Sequence, residues 1–332
     1  MNSPGRSRRT WVLGATLALL AACLLLALGA GETPLSPRQV LALLTTPDDS
    51  LAARILWELR LPRALAALAV GGLLALAGTL MQVLLRNPLA DPYVLGISGG
   101  AGSGALLALL VGAGGLLLAG AALGGALLST LLVFGLVRHG GNLNPVRLLL
   151  TGIIVAAGWG ALISFILATS PNEALRSMLF WLMGDLSYAS RPLPALGILL
   201  AGLAIAWPLS RSLNILVRGE IQAGALGVNT ARLHTVLFGL AALLTAAAVM
   251  QAGGIGFIGL VVPHLLRLAG LHDHRLLLPA AVAAGGSLLL LADTLARTVL
   301  APQELPVGIL TAALGVPLFL YLLNRREAPA HD

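Results

Sequence analysis

The chain has 332 residues, of which 58% are hydrophobic and only 10% charged, and its formal net charge is +7. An ordinary soluble domain has about 25% charged residues. This composition therefore excludes an ordinary soluble domain and indicates a protein of the lipid bilayer. All of the basic charge is arginine, because the sequence contains no lysine. The chain therefore cannot build a Walker A loop, whose lysine reaches the nucleotide phosphates, or form a Schiff base with a cofactor.

Apolar runs close to the roughly 20 residues that a helix needs to cross the hydrocarbon recur along the whole chain. The sequence therefore predicts an all-α, polytopic membrane protein with about ten transmembrane helices in a single domain over residues 1–332. The predicted spans lie near residues 11–30, 62–84, 93–111, 116–137, 148–168, 192–209, 234–252, 255–269, 277–297 and 306–323. We interpret the first as a retained helix, because its apolar run is longer than that of a usual signal peptide.

The distribution of arginine predicts the orientation, because short cytoplasmic loops of membrane proteins are enriched in basic residues. Ten spans with the N-terminus inside place thirteen of the twenty arginines on the cytoplasmic side. Both termini are therefore predicted to be cytoplasmic. The sequence pI of about 11.1 reflects this topology and requires no nucleic-acid partner.

Two segments that are predicted to face the cytoplasm stand out. The segment at 84–105 joins an Asn-Pro and an Asp-Pro turn to a glycine-rich helix start. The segment at 210–233 has little apolar continuity. It could be a plain solvated connection, but connections of this length are often functional.

The stretch "GGIGFIGLVVPHLLR" contains a dinucleotide-binding pattern, because Gly254, Gly256 and Gly259 fit G-x-G-x-x-G. That pattern binds a nucleotide only between a strand and a helix, and here both flanks read as membrane helix. We therefore predict that these three glycines serve close helix packing and that Gly253 and Gly254 form an outer turn. Pro263 lacks an N–H group, so neighbouring groups must satisfy the carbonyl that it leaves free.

Histidines near the same region raise the question of a metal site. His264, His272 and His274, with Asp273, could in principle bind zinc. No fourth strong ligand is placed, and His272 and His274 fall in a predicted cytoplasmic loop, so we predict solvated or helix-capping histidines and no metal. Cys23 lies within the first span and is interpreted as a small hydrophobic residue.

Three arginines are predicted at the outer face: Arg60, Arg63 and Arg297. From the residues alone, they could simply snorkel at helix ends, or they could meet carboxylates on a partner. Asp293 precedes Arg297 by four residues, and this spacing predicts an ion pair on one helix face.

The motifs "RNPLADPYVLGIS", "GEIQAGALGV", "GGIGFIGLVVPHLLR", "HDHRLLLP" and "ELPVGILTAALGVPLF" resemble, in order, the permease family of type II ABC importers for iron-siderophores, haem and cobalamin. The match runs from "LRLPRALA" near residue 59 to Phe319. The resemblance implies a permease of the bacterial cytoplasmic membrane that works as a homodimer. Its other partners would be two cytoplasmic ATPases and an external substrate-binding protein, either periplasmic or lipid-anchored.

The resemblance also implies roles for particular residues. Segment 210–233 would be the cytoplasmic coupling segment, with ATPase contacts at Arg218, Glu220, Ala223, Leu226 and Gly227. The three outer arginines would dock the binding protein. The chain itself would bind no cofactor, since ATP and magnesium would belong to the ATPase.

Two other classes of function fit the sequence less well. A secondary transporter driven by an ion gradient is expected to bury ionisable side chains near the middle of the bilayer, and the predicted spans contain almost none. An intramembrane enzyme would need a nucleophile and a base at membrane depth, and the sequence offers no convincing pair. We therefore expect a transport subunit and no enzyme.

Overall fold

The structure is a computed structural model that describes residues 4–138, 145–187 and 191–326, and these ranges contain helices and no strand. Both chain ends, residues 1–3 and 327–332, lie outside the described residues. The helices in chain order are α1 (Pro4–Gly29), α2 (Pro37–Thr45), α3 (Leu51–Arg54), α4 (Leu61–Leu84), α5 (Ile97–Leu110), α6 (Gly115–Arg138), α7 (Pro145–Thr169), α8 (Asn172–Met183), α9 (Pro192–Ala206), α10 (Ser210–Leu216), α11 (Glu220–Ala225), α12 (Thr230–Ala252), α13 (Ile258–Leu268), α14 (His274–Thr298) and α15 (Val307–Arg326).

Six helices in the described ranges are long and apolar enough to cross a membrane, and α9 with α10 forms a seventh candidate that is bent by 65°. Three further apolar helices, α5, α13 and α15, are shorter. The prediction of an all-α, multi-pass membrane protein is confirmed at this level. The bend was not predicted, and it directs α10 away from the axis of α9.

Helix α4 forms the centre of the bundle and contacts α9, α12, α13 and α14. Its sequence is rich in alanine and glycine, which let helix backbones approach closely in lipid. Gly71 lies against the backbone of Gly285 in α14, and Gly78 lies against that of Gly259 in α13. A methyl group at either position would collide with a backbone atom, so these contacts fix how α4 packs.

The peripheral helices expose much of their apolar surface. Helix α7 buries only 11% of its most apolar window, whereas the span that contains α4 buries 89%. Large side chains such as Ile154 and Phe165 therefore project outward from α7. In a membrane protein this surface faces lipid or another subunit.

Several boundaries differ from the predicted ones. The span predicted at 62–84 belongs to a longer continuous helix, because α3, a π-helical turn at Ile55–Arg60 and α4 follow without a break. Helix α8 was not predicted. Helix α12 starts at Thr230, so the end of the predicted coupling segment is already part of that helix.

Helix α14 starts at His274 because Asp273 is its N-cap and accepts a hydrogen bond from the backbone of Arg275. The prediction that His274 is a solvated or capping loop residue is therefore wrong, since its side chain is buried.

The predicted cytoplasmic segment at 84–105 enters the protein interior. Gly96, just before α5, accepts a hydrogen bond from Ser129 Oγ at 2.8 Å. Ser129 lies about 14 Å along α6 from Arg138 at its end. Helix α5 therefore starts inside the bundle, at Ile97 and not at residue 93, and that it crosses the membrane stays a prediction.

Candidate functional site

Arg60, which is only 6% exposed, lies at the end of the bundle that the sequence predicts to face outward. Its Nη1 donates hydrogen bonds to the carbonyls of Leu28 at 2.9 Å and Gly29 at 3.2 Å. Its Nη2 donates to the carbonyl of Thr33 at 2.7 Å and to the Thr33 hydroxyl at 3.2 Å. Arg60 thus satisfies carbonyls at the end of α1 and in the loop that follows, which is a structural role, and its docking of a partner stays a prediction.

The other two outer arginines share one carboxylate. Asp293, which is 2% exposed, lies 3.0 Å from Arg63 Nη2 and 3.2 Å from Arg297 Nε. Arg63 also reaches Glu304 Oε2 at 2.8 Å, and Arg297 donates to the carbonyl of Ala27. The predicted pair between Asp293 and Arg297 is confirmed. Both guanidinium groups are therefore engaged within the chain and join α1, α4 and α14.

A groove of about 510 Å³ lies above this cluster. Glu32, Glu58 and Glu304 line it together with edges of the three arginines. The side chains of Arg63 and Arg297 are 16% and 13% exposed, whereas that of Glu304 is 47% exposed. The carboxylate of Glu304 is thus more exposed to a partner than the guanidinium groups of Arg63 and Arg297, and the sequence pattern did not indicate this.

The glycine-rich stretch meets the predicted cytoplasmic segment inside the protein. The backbone N–H of Ile255 donates to the hydroxyl of Tyr93 at 3.1 Å. A Cβ atom added at Gly259 would lie 2.7 Å from Pro92 Cδ and 2.9 Å from the carbonyl oxygen of Leu74. Leu74 lies about 20 Å along α4 from its first residue. The turn before α13 is therefore interior, not an outer loop as predicted.

The three glycines of the G-x-G-x-x-G pattern differ in their surroundings. Gly259 packs closely, and a Cβ at Gly254 would lie 3.0 Å from the carbonyl oxygen of Leu182. A Cβ at Gly256 would meet no atom within 4 Å, so the predicted close packing is absent there in this chain. Gly253 adopts a φ of 67° at the end of α12, which confirms its predicted place in a turn.

Pro263 lies inside α13 and leaves the carbonyl of Gly259 without its helical N–H partner. The buried side chain of Gln82, on α4, places Nε2 at 3.4 Å from that carbonyl oxygen and at 3.1 Å from that of Leu260. Gln82 Oε1 in turn accepts a hydrogen bond from Arg267. The donor that the proline removes is thus supplied by a side chain from α4.

A side chain also replaces the missing N–H donor at Pro279 in α14, where the proline leaves the carbonyl of Arg275 without a helical partner. Trp207 Nε1 donates to that carbonyl at 3.1 Å. This bond attaches the bend between α9 and α10 to the start of α14.

The predicted coupling segment consists of α10, α11 and the first turn of α12. Glu220 Oε1 lies 3.3 Å from Nε2 of His234, and Arg218 is exposed. Leu226 is 67% exposed, and Gly227 adopts a φ of 80° that favours glycine. These positions are open to a partner in this chain.

Ala223 differs from the other predicted coupling residues, because it is fully buried. A direct contact between Ala223 and an ATPase stays a prediction, although the buried side chain offers such a contact no surface in this arrangement. Ile221 was missed, although it is 90% exposed. The signal that could have identified it was a large apolar side chain between two polar residues, Glu220 and Gln222.

Asn214 joins α10 to the start of α14. Its Nδ2 donates to Asp273 Oδ1 at 2.8 Å, and its Oδ1 accepts from the backbone N–H of His274 at 3.0 Å. His274 Nδ1 lies 2.6 Å from the same amide oxygen. The predicted coupling segment is thus bonded directly to the start of α14, the helix that carries Asp293 near its other end.

Histidine positions do not converge on a metal site among the residues that the structure describes, where no group of three metal-ligating side chains occurs. His264 packs its ring against Phe319 with the centroids 6.0 Å apart. His272 is exposed, and Cys23 is buried in α1.

Comparison with known proteins places this arrangement in a family. The FecCD transport family matches residues 19–325. The vitamin B12 import system permease protein BtuC of Klebsiella pneumoniae is 42% identical over 96% of this chain and 95% of its own length. The same protein of an Escherichia coli strain is also 42% identical, over 96% of each chain.

A solved structure, described as an inward-facing conformation of a metal-chelate type ABC transporter, superposes with a TM-score of 0.85. It is 32% identical and covers 95% of this chain and 99% of its own. The fold and the family match together define a membrane transport protein. This chain belongs to the FecCD transport family.

Proposed function

We propose that this chain is the membrane-spanning permease subunit of an ATP-binding-cassette importer of the bacterial cytoplasmic membrane, and that its cargo is a corrinoid such as vitamin B12. The observation that carries the proposal is the 42% identity to vitamin B12 import permeases over nearly the full length of both chains. The likeness to a metal-chelate type transporter supports the wider class of cargo.

The proposed assembly is a homodimer with two cytoplasmic ATPases and an external binding protein. We assign ATP and magnesium to the ATPases, because this chain has no lysine with which to build a phosphate-binding loop. We further propose about ten crossings with both termini cytoplasmic, the shorter apolar helices included. Helices α5 and α13 each begin in the interior, as in transporters whose discontinuous helices surround a central pathway.

The contacts described above suggest how a cytoplasmic movement reaches the outer face. A push on the exposed surface of α11 passes to α10 and, through Asn214, to the first residue of α14. Helix α14 is about 37 Å long and carries Asp293 near its far end. Its movement therefore acts on Arg63 of α4, which is the kind of rigid-element coupling that alternating access requires.

The proposal is tested in proteoliposomes that contain the permease, its ATPase and its binding protein. We expect uptake of radiolabelled cyanocobalamin only when ATP is present on the side of the vesicle membrane to which the ATPase is bound. A ferric siderophore as competitor should not reduce this uptake. Siderophore uptake without corrinoid uptake would overturn the cargo but not the class, whereas uptake driven by a proton gradient without the ATPase would overturn the class.

The coupling surface gives a separate prediction. Ile221→Asp should weaken capture of the ATPase at least about tenfold, because it places a charge at an exposed apolar contact without disturbing the buried packing of Ala223. Ile221→Val is the matched control and should retain capture. Binding of labelled ATPase to permease in nanodiscs measures both. Equal affinity for the aspartate variant would show that Ile221 does not contact the ATPase.

A further inference from the structure

A groove of about 600 Å³ lies between α10 and the first turns of α12. Arg211 and Arg232 line it from opposite helices, and Ser212 adds a hydroxyl group. Leu209, Ile215 and Val236 give it an apolar wall. The groove thus combines a basic polar end with an apolar end.

The basic charge in this groove is not neutralised by the residues that the structure describes. Arg211 and Arg232 are both exposed, and neither forms an ion pair with a described carboxylate. No acidic residue lines the groove. Glu220, the acid of the neighbouring helix, is paired with His234. The groove is therefore complementary to an anion.

The groove lies where the exposed apolar surface of two long helices ends. Helix α9 exposes Leu200 and Ile205 before Trp207, which is 54% exposed, and helix α12 exposes Val236. Tryptophan is enriched where hydrocarbon gives way to headgroups. Arg211 lies just beyond this tryptophan, after the 65° bend that turns α10 away from α9, and Arg232 lies four residues before Val236, about 6 Å along α12. Both arginines therefore lie next to the exposed apolar surface that α9 and α12 present.

We propose that this groove binds an anionic phospholipid, with its phosphate between Arg211 and Arg232 and an acyl chain along the apolar wall. Basic pockets between helices on the cytoplasmic side of membrane proteins recognise acidic headgroups in this way. The apolar wall favours a lipid over a free phosphate, because a soluble anion leaves that wall exposed to water. This inference goes beyond the transport function and does not depend on the identity of the cargo.

The site would also bear on coupling, because Leu226 and Gly227 line the same groove. A lipid seated there contacts both the coupling segment and the bent end of α9. The lipid composition of the membrane would then set how firmly α11 is held against the bundle. Removal of acidic lipid should reduce ATP-driven transport without loss of the folded dimer.

The test measures lipid binding directly, with the full-length permease purified in detergent and depleted of lipid. Native mass spectrometry is used to compare retention of phosphatidylglycerol and phosphatidylcholine of matched acyl chains. We expect the unsubstituted protein to prefer phosphatidylglycerol at least about tenfold, since two arginines face one phosphate. The Arg211→Gln/Arg232→Gln variant should lose that preference, and Arg211→Lys/Arg232→Lys should keep most of it.

The matched control removes two exposed arginines that do not line the groove. Arg86→Gln/Arg275→Gln changes the net charge equally and should keep the preference. Equal loss in both double variants would mean general electrostatic attraction and would overturn the proposal. It would also be overturned if inorganic phosphate displaced the lipid at low concentration, or if the groove variant lost ATPase capture while it kept its preference for phosphatidylglycerol. The thermal midpoint of each variant verifies that the fold is retained.

Discussion

Arg60→Gln is expected to lower the Tm of the detergent-solubilised permease by about 5 °C or more. The guanidinium group makes two hydrogen bonds to the last residues of α1 and two to Thr33 in the loop that follows, with donor–acceptor distances from 2.7 to 3.2 Å, and Arg60 is 6% exposed. Glutamine is shorter and has one amide group, so it leaves buried carbonyls unpaired. Such losses cost about 3–5 kcal/mol in total, which corresponds to several degrees in a chain of this size.

The matched control is Arg54→Gln, because Arg54 is exposed and lies at the end of α3, six residues before Arg60. It should leave the Tm within about 1 °C of the unsubstituted value, as surface substitutions usually do. Differential scanning fluorimetry measures both variants. An unchanged Tm for Arg60→Gln, together with loss of binding-protein capture, would restore the docking role and contradict the structural one.

Gly259→Ala is expected to destabilise the protein by about 1–3 kcal/mol, the usual range for overpacking. The added methyl group would lie 2.9 Å from the carbonyl oxygen of Leu74 and 2.7 Å from Pro92 Cδ. A backbone oxygen and a proline ring cannot rotate away, so α13 must move from α4. That movement would also disturb the hydrogen bonds that Gln82 makes to α13.

Gly256→Ala is the control that the same motif provides, three residues earlier. No atom lies within 4 Å of an added Cβ there, and the backbone has no positive φ. We expect no change in the free energy of unfolding, or an increase of up to about 1 kcal/mol, because alanine gives the unfolded chain less conformational freedom than glycine. Thermal unfolding of the two variants side by side gives the comparison. Equal destabilisation would show that Gly256 packs closely after all, for example against a second subunit.

Local features were predicted well because they depend on residues that are near each other in sequence. The pair between Asp293 and Arg297 follows from a spacing of four on one helix, and it is present at 3.2 Å. The missing donor at Pro263 follows from the chemistry of proline. The sequence does not show that Gln82 supplies the replacement, because that residue lies 177 positions away from Gly259.

The outer arginines illustrate the opposite case. Arg60, Arg63 and Arg297 look alike in sequence, as basic residues near the ends of apolar runs. In the structure Arg60 is buried and donates hydrogen bonds to the end of α1, while Arg63 and Arg297 both form ion pairs with Asp293. Their acceptors come from other helices, so no sequence window around an arginine could distinguish a docking residue from a structural one.

The sequence by itself determined that this is an all-α, multi-pass membrane protein, and its motifs indicated the transport family. Both follow from local properties, because transfer into lipid depends on the length of an apolar run and a motif is a string of neighbouring residues. Only the tertiary structure decided that α5 and α13 start in the interior, that Gly259 packs closely while Gly256 does not, and that Ala223 is buried beside an exposed Ile221. The physical reason is that depth, close contact and burial are set by atoms that distant parts of the chain supply.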